Sequence, residues 1–396
     1  MLTISHIVEK LLTFLITSFP LLIVTIPRGS YVIFVILLLS IFWIFSKKIN
    51  IFSNNRNDNF FLSIFIFYFL IQVIYFFFFE SNIRELDTPS RFILLLPLFF
   101  ILREIPFSFE NFSMSLNLSS IFAGLLAIYQ VLTFGSFDAL GFLDKGSFSL
   151  LASIFASFSL FKCISSNNLR IKMFYIVGVI LGIVAMLSSS IRTVWLIFII
   201  VNSLTLIYVK KYTLPKILSA ITISVLILYN LFPHIGTESK LLINNTIDYF
   251  NNTNFDTSVA HRFEIYKASI KIISDNPMGV GENNFLEYKN RLINEGLVSE
   301  KILHHINAHS EILSSLIEQG IPGLIATLLV VLVPLRIFIS NFHKCEGAVF
   351  GSIFVGHYSL FAITSGIFDY QVSALVYVFF TVIIYGFISK SGNVST

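Results

Sequence analysis

A chain of 396 residues that is 56% apolar and 16% aromatic, with a mean hydropathy of +0.84, is too oily for a water-soluble domain. Its net charge of +4 sits mainly in short loops and gives no reason to expect a nucleic-acid partner. Two cysteines, Cys163 and Cys345, leave no disulfide framework and no CxxC metal site.

Apolar runs of spanning length recur along the chain at 11–26, 31–45, 60–79, 92–102, 118–134, 147–161, 171–187, 194–209, 217–232, 321–340, 348–367 and 371–389. A crossing helix needs roughly 20 apolar residues, so the pattern predicts an all-α polytopic membrane protein of about twelve transmembrane helices. The first run lacks a basic leader and a cleavage site and reads as a retained anchor. Basic residues such as Lys47, Lys48, Arg103, Lys162, Lys210 and Lys344 mark one side of the membrane as cytoplasmic. Both termini are then cytoplasmic, and residues 233–320 form one large loop on the far side. The expected organisation is a bundle of about nine helices over 1–232, a catalytic loop over 233–320 with two amphipathic helices, and further spans over 321–396.

Within the loop, 244–257 is Asn-rich and irregular. Val259, Phe263, Tyr266, Ile270 and Ile273 then recur at helical spacing, with Arg262 at the edge of the stripe. That helix should stop before Asn276-Pro277. A second helix should begin near Ala308, with Asn307 as its N-cap and His309 in its first turn, and should end at Gly320 before Pro322. A histidine there, disfavoured as a cation by the helix dipole and by partial burial, is expected to be neutral and able to accept a proton.

Several clusters have both a plain and a functional reading. His305 and His309 have a zinc-ligand spacing, but no HExxH pattern or carboxylate cluster accompanies them, so no metal is expected. A lone His309 is more often an interface histidine. Ser188-Ser189-Ser190-Ile191-Arg192-Thr193 is either a capping turn or an anion site built from a guanidinium, hydroxyls and a helix N-terminus. The loop 80–91 is mostly a solvated face, with Arg91 placed to touch a lipid headgroup. Residues 279–284 are a turn. Few charges fall in the middle of spans, which disfavours an ion-coupled transporter. No carboxylate stands out as a candidate nucleophile.

Three pieces in order resemble the O-antigen ligase and polymerase superfamily of bacterial envelope glycosyltransferases. They are Ser188–Thr193, the stretch Ala260-His261-Arg262-Phe263-Glu264-Ile265-Tyr266 with Asn276-Pro277-Met278-Gly279-Val280-Gly281, and Asn307-Ala308-His309-Ser310-Glu311-Ile312-Leu313 with Gly320-Ile321-Pro322-Gly323. The resemblance covers roughly residues 188–335. It departs from the family's pattern at Ser310, where Asn is frequent, and at Ile191, where serine is more usual. The ligase branch looks closer, through the loop at 86–91 and a Gly-x-x-Asp element, Gly366-Ile367-Phe368-Asp369.

The resemblance implies a GT-C-like fold in the inner membrane of a Gram-negative bacterium, with a periplasmic catalytic loop. It implies that His309 is the general base and that Arg192 and Arg262 hold the diphosphate of an undecaprenyl-diphosphate-linked O-polysaccharide donor. Arg91, His305, Asn307 and Asp369 join the two arginines as substrate-binding residues. The acceptor would be lipid A-core, the surrounding lipids the only other partners, and no cofactor or metal is expected. Two arginines can stabilise the leaving diphosphate without a metal, and direct displacement would invert the sugar carbon. The alternatives are an O-antigen polymerase with the same donor, and a polysaccharide-lipid flippase or exporter.

Overall fold

The computed structural model describes residues 2–47, 55–80, 82–135, 138–209, 233–305 and 307–390. Among these the protein is helical throughout and has no strand. The chain runs through α1 (Leu2–Thr25), α2 (Val32–Lys47), α3 (Arg56–Phe78), α4 (Asp87–Leu94), α5 (Pro97–Glu104), α6 (Phe109–Phe134), α7 (Lys145–Ser165), α8 (Leu169–Ser188) and α9 (Arg192–Tyr208). After the polar loop begins come α10 (Pro233–Phe250), α11 (Ser258–Asp275), α12 (Phe285–Asn294), α13 (Glu311–Ser340), α14 (Glu346–Phe361) and α15 (Gln371–Lys390). Eight helices among the described residues are long and apolar enough to cross a membrane, and α9 is a shorter apolar helix. The chain is therefore an all-α polytopic membrane protein.

Two expected spans differ. The run 92–102 is broken into α4 and α5, because Pro97 has no N–H to continue a helix and instead opens a new one. The run 348–367 gives only α14, after which residues 362–370 turn beneath the polar loop. The run 217–232 lies outside the described residues.

Helices α6, α7 and α8 pack on one another through small residues, and a Cβ on Gly178 would stand 2.0 Å from Asn117 Oδ1. Two buried polar side chains bond across the contact, with Asn117 Nδ2 donating to Phe174 O at 2.9 Å and Ser120 Oγ to Gly178 O at 2.8 Å. A second aromatic and aliphatic core joins α3, α5, α14 and α15, where Phe61 stacks on Tyr385 at 3.7 Å.

The polar loop folds into a lobe with its own small core of Ile265, Ala268, Ile272, Val280, Phe285, Leu292, Ile302 and Ile317. It contains α10 and α12 besides the two amphipathic helices expected. Helix α11 has the expected bounds, with Thr257 as N-cap, but it buries Ala260, Glu264, Ile265, Ala268 and Ile272, while Ile270 stays exposed. The reason is Glu264, which accepts from Tyr249 Oη at 2.8 Å and from Ser299 N at 2.6 Å and so turns that side inward.

The lobe joins the bundle through α13. This helix breaks at Gly320, whose φ of 62° and ψ of −153° are open to glycine but not to a residue with a Cβ. Val280 N and Gly281 N donate to Ile317 O and Glu318 O, and Ile321 N donates to Pro277 O, so the turn 277–281 is stitched along the break. The expected stop at Gly320 is thus a kink, with the span continuing beyond it.

Candidate active site

A cleft of about 520 Å³ opens between the lobe and the bundle. One wall is α3, with Tyr68, Gln72, Tyr75 and Phe76. Another is the 3-10 turn Ile83–Leu86 leading into α4, and the floor combines the start of α13 with the 362–370 turn. The walls are latched to each other. Asn283 Nδ2 donates to Glu85 Oε1 at 2.6 Å, Gln319 Nε2 to Gln72 Oε1 at 3.0 Å, and Gln371 Nε2 to the Asp87 carboxylate.

Five carboxylates line this cleft: Glu85, Glu282, Glu311, Glu318 and Asp369. Glu311 is buried and accepts from Phe368 N at 2.9 Å, which ties the first turn of α13 to the Gly366–Asp369 element. Gly366 is needed because a Cβ there would fall 1.8 Å from Asp369 Oδ2. Asp369 keeps surface at the cleft mouth yet is crowded by protein. That crowding and the facing Glu282 push its carboxyl up to about 7, against the pull of the Asn307 side chain. Burial and Glu85 raise Glu282 as well. The resemblance named Asp369 for substrate binding, but the sequence offered no carboxylate nucleophile, because these five lie on four separate segments.

His305 and Asn307 line the cleft, and His309 lies just behind them. His309 Nε2 is 3.0 Å from His305 Nδ1. The helix expected from near Ala308 starts instead at Glu311, with Ser310 as N-cap, its Oγ accepting from Leu313 N at 3.5 Å. His309 therefore precedes the helix rather than occupying its first turn, and its φ of 51° is left-handed. The cause is the bonding of Glu311 N to Ala362 O and Ser365 O, which draws that residue into the bundle and leaves two residues to turn the chain. Asn307 faces Asp369 rather than capping. Burial first, then the Arg262 guanidinium, lowers His309 to about 4, so the imidazole is neutral at pH 7.

Arg262, on α11, is thus placed beside His309. Arg192 stands at the first position of α9, after the Ser188–Ile191 turn, where Ser188 O accepts from Ala139 N at 3.0 Å. Arg91 is buried, bonded to Asp87 O at 2.7 Å and 3.5 Å from the Asp87 carboxylate. It is a brace for the α4 wall and not a group presented to lipid headgroups, since its stem packs inward beside Phe92.

Two residues to which the sequence reading gave no role complete the site. Lys289 is buried and its ammonium donates to His305 O while lying 4.6 Å from the Phe285 ring centre. Burial lowers it to about 8. His261 reaches His305, with Nδ1 3.2 Å from His305 Nε2. His261 and His305 are 44 apart in the chain and Lys289 and His305 are 16 apart, so no local pattern joined them.

Residues 176–328 match the family model described as O-antigen ligase. This bears out the resemblance carried by the three motifs, and the matched stretch holds Arg192, Arg262, His305, Asn307 and His309. Arg91 and Asp369 lie outside it. A protein of Haemophilus influenzae described as uncharacterized is 24% identical over 350 residues, covering 84% of this chain and 87% of the relative. The match supports ligase- or polymerase-type chemistry at a bacterial membrane and does not separate the two.

Proposed function

We propose that the protein transfers an O-polysaccharide from undecaprenyl diphosphate to lipid A-core, as an O-antigen ligase. The observation that carries this is a neutral histidine, His309, set between a guanidinium and a carboxylate-lined cleft. The two sides suit two different substrates. A diphosphate is drawn to the Arg262 guanidinium, with Arg192 as its partner, rather than to a cleft lined by carboxyl groups. An acceptor glycan fits the cleft, since carboxylates accept from sugar hydroxyls and Tyr75, Phe76 and Phe79 offer ring faces to a pyranose. The cleft volume of about 520 Å³ is in the ligand-sized range.

The reaction follows from that division. His309 takes the proton of the acceptor hydroxyl as its oxygen attacks the anomeric carbon. The bond to the diphosphate breaks on the opposite face, and the arginines stabilise the charge that leaves. Direct attack inverts the carbon. Asp369 and Asn307 hold the acceptor, and Arg91 holds the wall. The loop faces the periplasm of a Gram-negative inner membrane, with both termini cytoplasmic.

A second assignment of the base has its own observation. Asp369 lines the cleft, which His309 does not, and its carboxyl is raised to about 7. Purified His309→Ala and Asp369→Asn proteins, each assayed for donor binding and for transfer, separate the two. The base variant binds donor and does not transfer.

The acceptor is tested in a deletion strain. Long chains left on the carrier with bare core establish a ligase, whereas core capped by a single repeat establishes a polymerase. Transfer by purified protein in EDTA supports arginine-only stabilisation, and activity that returns only with magnesium or manganese overturns it. Movement of the lipid without a new glycosidic bond overturns the enzyme in favour of a flippase or exporter.

A further inference from the structure

Three imidazoles form one row behind the cleft. His309 Nε2 is 3.0 Å from His305 Nδ1, and His305 Nε2 is 3.2 Å from His261 Nδ1. The rings meet at 68° and 63°, with centres 5.0 and 5.2 Å apart, so they bond through nitrogens and do not stack. The row ends at Asp256, whose Oδ1 is 3.4 Å from His261 Nε2. That last link is an ion-pair contact, off the angle of a good hydrogen bond. Lys301 Nζ, 3.3 Å from Asp256 Oδ2, helps keep the carboxyl below its ordinary range and ionised.

A neutral imidazole has one N–H and one lone pair, and a carboxylate only accepts. Asp256 therefore favours the proton of His261 on Nε2, which leaves Nδ1 to accept from His305 Nε2. His305 Nδ1 then accepts from His309 Nε2, and the lone pair of His309 is left on Nδ1. The opposite polarity would set a bare nitrogen of His261 against a carboxylate. The row thus has a direction, set at its far end.

We propose that His305 and His261 are positioning residues for His309, which with Asp256 fix its Nδ1 as the proton acceptor and carry the resulting charge away from Arg262. This rests on the assignment of His309 as the base. When the acceptor O–H bond breaks, its proton goes to His309 Nδ1. The Nε2 proton of His309 passes to His305 Nδ1, and the Nε2 proton of His305 passes to His261 Nδ1. The imidazolium ends on His261, beside Asp256; once the product has left, the protons step back along the row and His309 Nδ1 gives the extra one to water, which restores the starting tautomers. The acceptor oxygen bonds to the anomeric carbon as the pair of the old bond leaves on the diphosphate.

The charges around the row favour this direction. Arg262 is the strongest cation acting on His309 and the weakest of those acting on His305. Lys289 and His304 also face His305, so the middle ring is a poor resting place for charge. Asp256 is the anion of the row and stands at the end farthest from His309.

The test is nitrogen NMR of the full chain, labelled in histidine and held in nanodiscs, with turnover measured in parallel. Wild-type His309 should show Nε2–H with an unprotonated Nδ1, and Asp256→Asn and His261→Phe should mix its tautomers. His305→Gln can still accept from His309 and donate to His261, so it should keep the tautomer yet lose about tenfold in turnover with donor KM unchanged. His305→Phe should lose both. An Nδ1–H tautomer in the wild-type protein overturns the proposal. So does a His305→Phe protein with unchanged tautomer and turnover. Should His305→Phe not insert, the Asp256→Asn and His305→Gln measurements decide by the same criteria. The NMR result reads the row whether or not the chain transfers glycan, so a failure of the proposed function is seen separately, as wild-type protein without transfer.

Discussion

The bundle and the lobe are held together by different means. In the bundle, phenylalanines interlock and some buried serines bond back to their own helices, as Ser119 Oγ does to Ser115 O at 2.6 Å. In the lobe, a core of ten buried apolar residues is supplemented by buried charged groups, Glu264 and Lys289, each bonded to a distant segment. A membrane bundle gains from close packing of small and aromatic side chains. A small polar lobe gains more from satisfied buried hydrogen bonds, and loses more when one is broken. The difference teaches where to look for chemistry: the bundle is a frame, and the histidine row and the carboxyl groups of the cleft gather on the lobe and along its seam.

The sharpest break between frame and site is His309→Ala. It is expected to lower transfer by roughly 10²–10⁴ through loss of a base, while the protein still inserts and binds donor. Rate measured on purified protein against donor binding checks this, and near-normal transfer would return His309 to a packing role. Next is Arg262→Lys, which keeps the charge and loses the planar fork, with an expected loss of about 10–100-fold in turnover. A double-mutant cycle with Arg192→Lys should show less than additive losses if both guanidinium groups act on one diphosphate. Fully additive losses would separate them.

The seam is tested by Gly320→Ala. The new Cβ would stand 2.3 Å from the Met278 carbonyl carbon and sits on a φ of +62°, so backbone on both sides must shift. A cost of about 1–3 kcal/mol is expected from the strained backbone alone. Limited proteolysis should then cut the lobe before the bundle unfolds. Simultaneous loss of both would show that the two regions do not separate.

Much of this contrast was legible in the sequence. Long apolar runs marked α1, α2, α3, α6, α7, α8, α13 and α15 because a bilayer-length helix leaves an unmistakable composition. The bounds of α11 were legible from Thr257 and Asn276-Pro277, but its buried face was not, since periodicity counts apolar residues and cannot see that Glu264 is satisfied inside. The start of α13 was misplaced because Asn307 and Ser310 are equally good caps by type, and only the bonding of Glu311 N to the 362–370 turn decides between them. The motif residues named the neighbourhood of the site. The carboxylates of the cleft, Lys289 and the row through His261 depend on contacts between distant segments, which no spacing encodes.

Lys289→Met sharpens the comparison from the lobe side. The ammonium is buried and its proton is held weakly, so replacing it relieves a desolvation cost while freeing the His305 carbonyl it supports. Thermal stability should change by less than about 1 kcal/mol, because the two terms oppose. Turnover should still fall by up to about 10²-fold, since a small displacement of His305 moves its neighbour His309. Equal losses of stability and rate would make Lys289 a plain structural strut.

The smallest effect expected is on stability against pH, and in the lobe it should centre on the histidine row. His309 titrates near 4 in the folded lobe against 6.5 ordinarily, lowered by burial first and then by Arg262, and His305 is lowered in the same direction. Below 6.5 the unfolded lobe takes up protons that the folded lobe refuses. The histidines' contribution is therefore full above about 6.5 and is lost progressively as pH falls toward about 4, while Asp369 at the seam, raised to about 7, works in the opposite sense. In the bundle the surface charges pair near its rims, such as Lys162 with Glu346 at 2.8 Å, and a pH response there should centre on α14, where the buried His357 bonds to Ile353 O at 2.8 Å. Hydrogen exchange followed at pH 7 and pH 5 should show faster exchange in α11, α12 and the 299–305 segment, with α6, α7 and α8 unchanged after correction for intrinsic rates. His309→Gln and His305→Gln together should flatten the lobe's pH response, because a side chain that does not titrate in this window has no proton to refuse. A lobe whose exchange is equally slow at both pH values would mean that the histidine row adapts on protonation, by opening toward the cleft or by ion pairing with Asp256, at no cost to the fold around it.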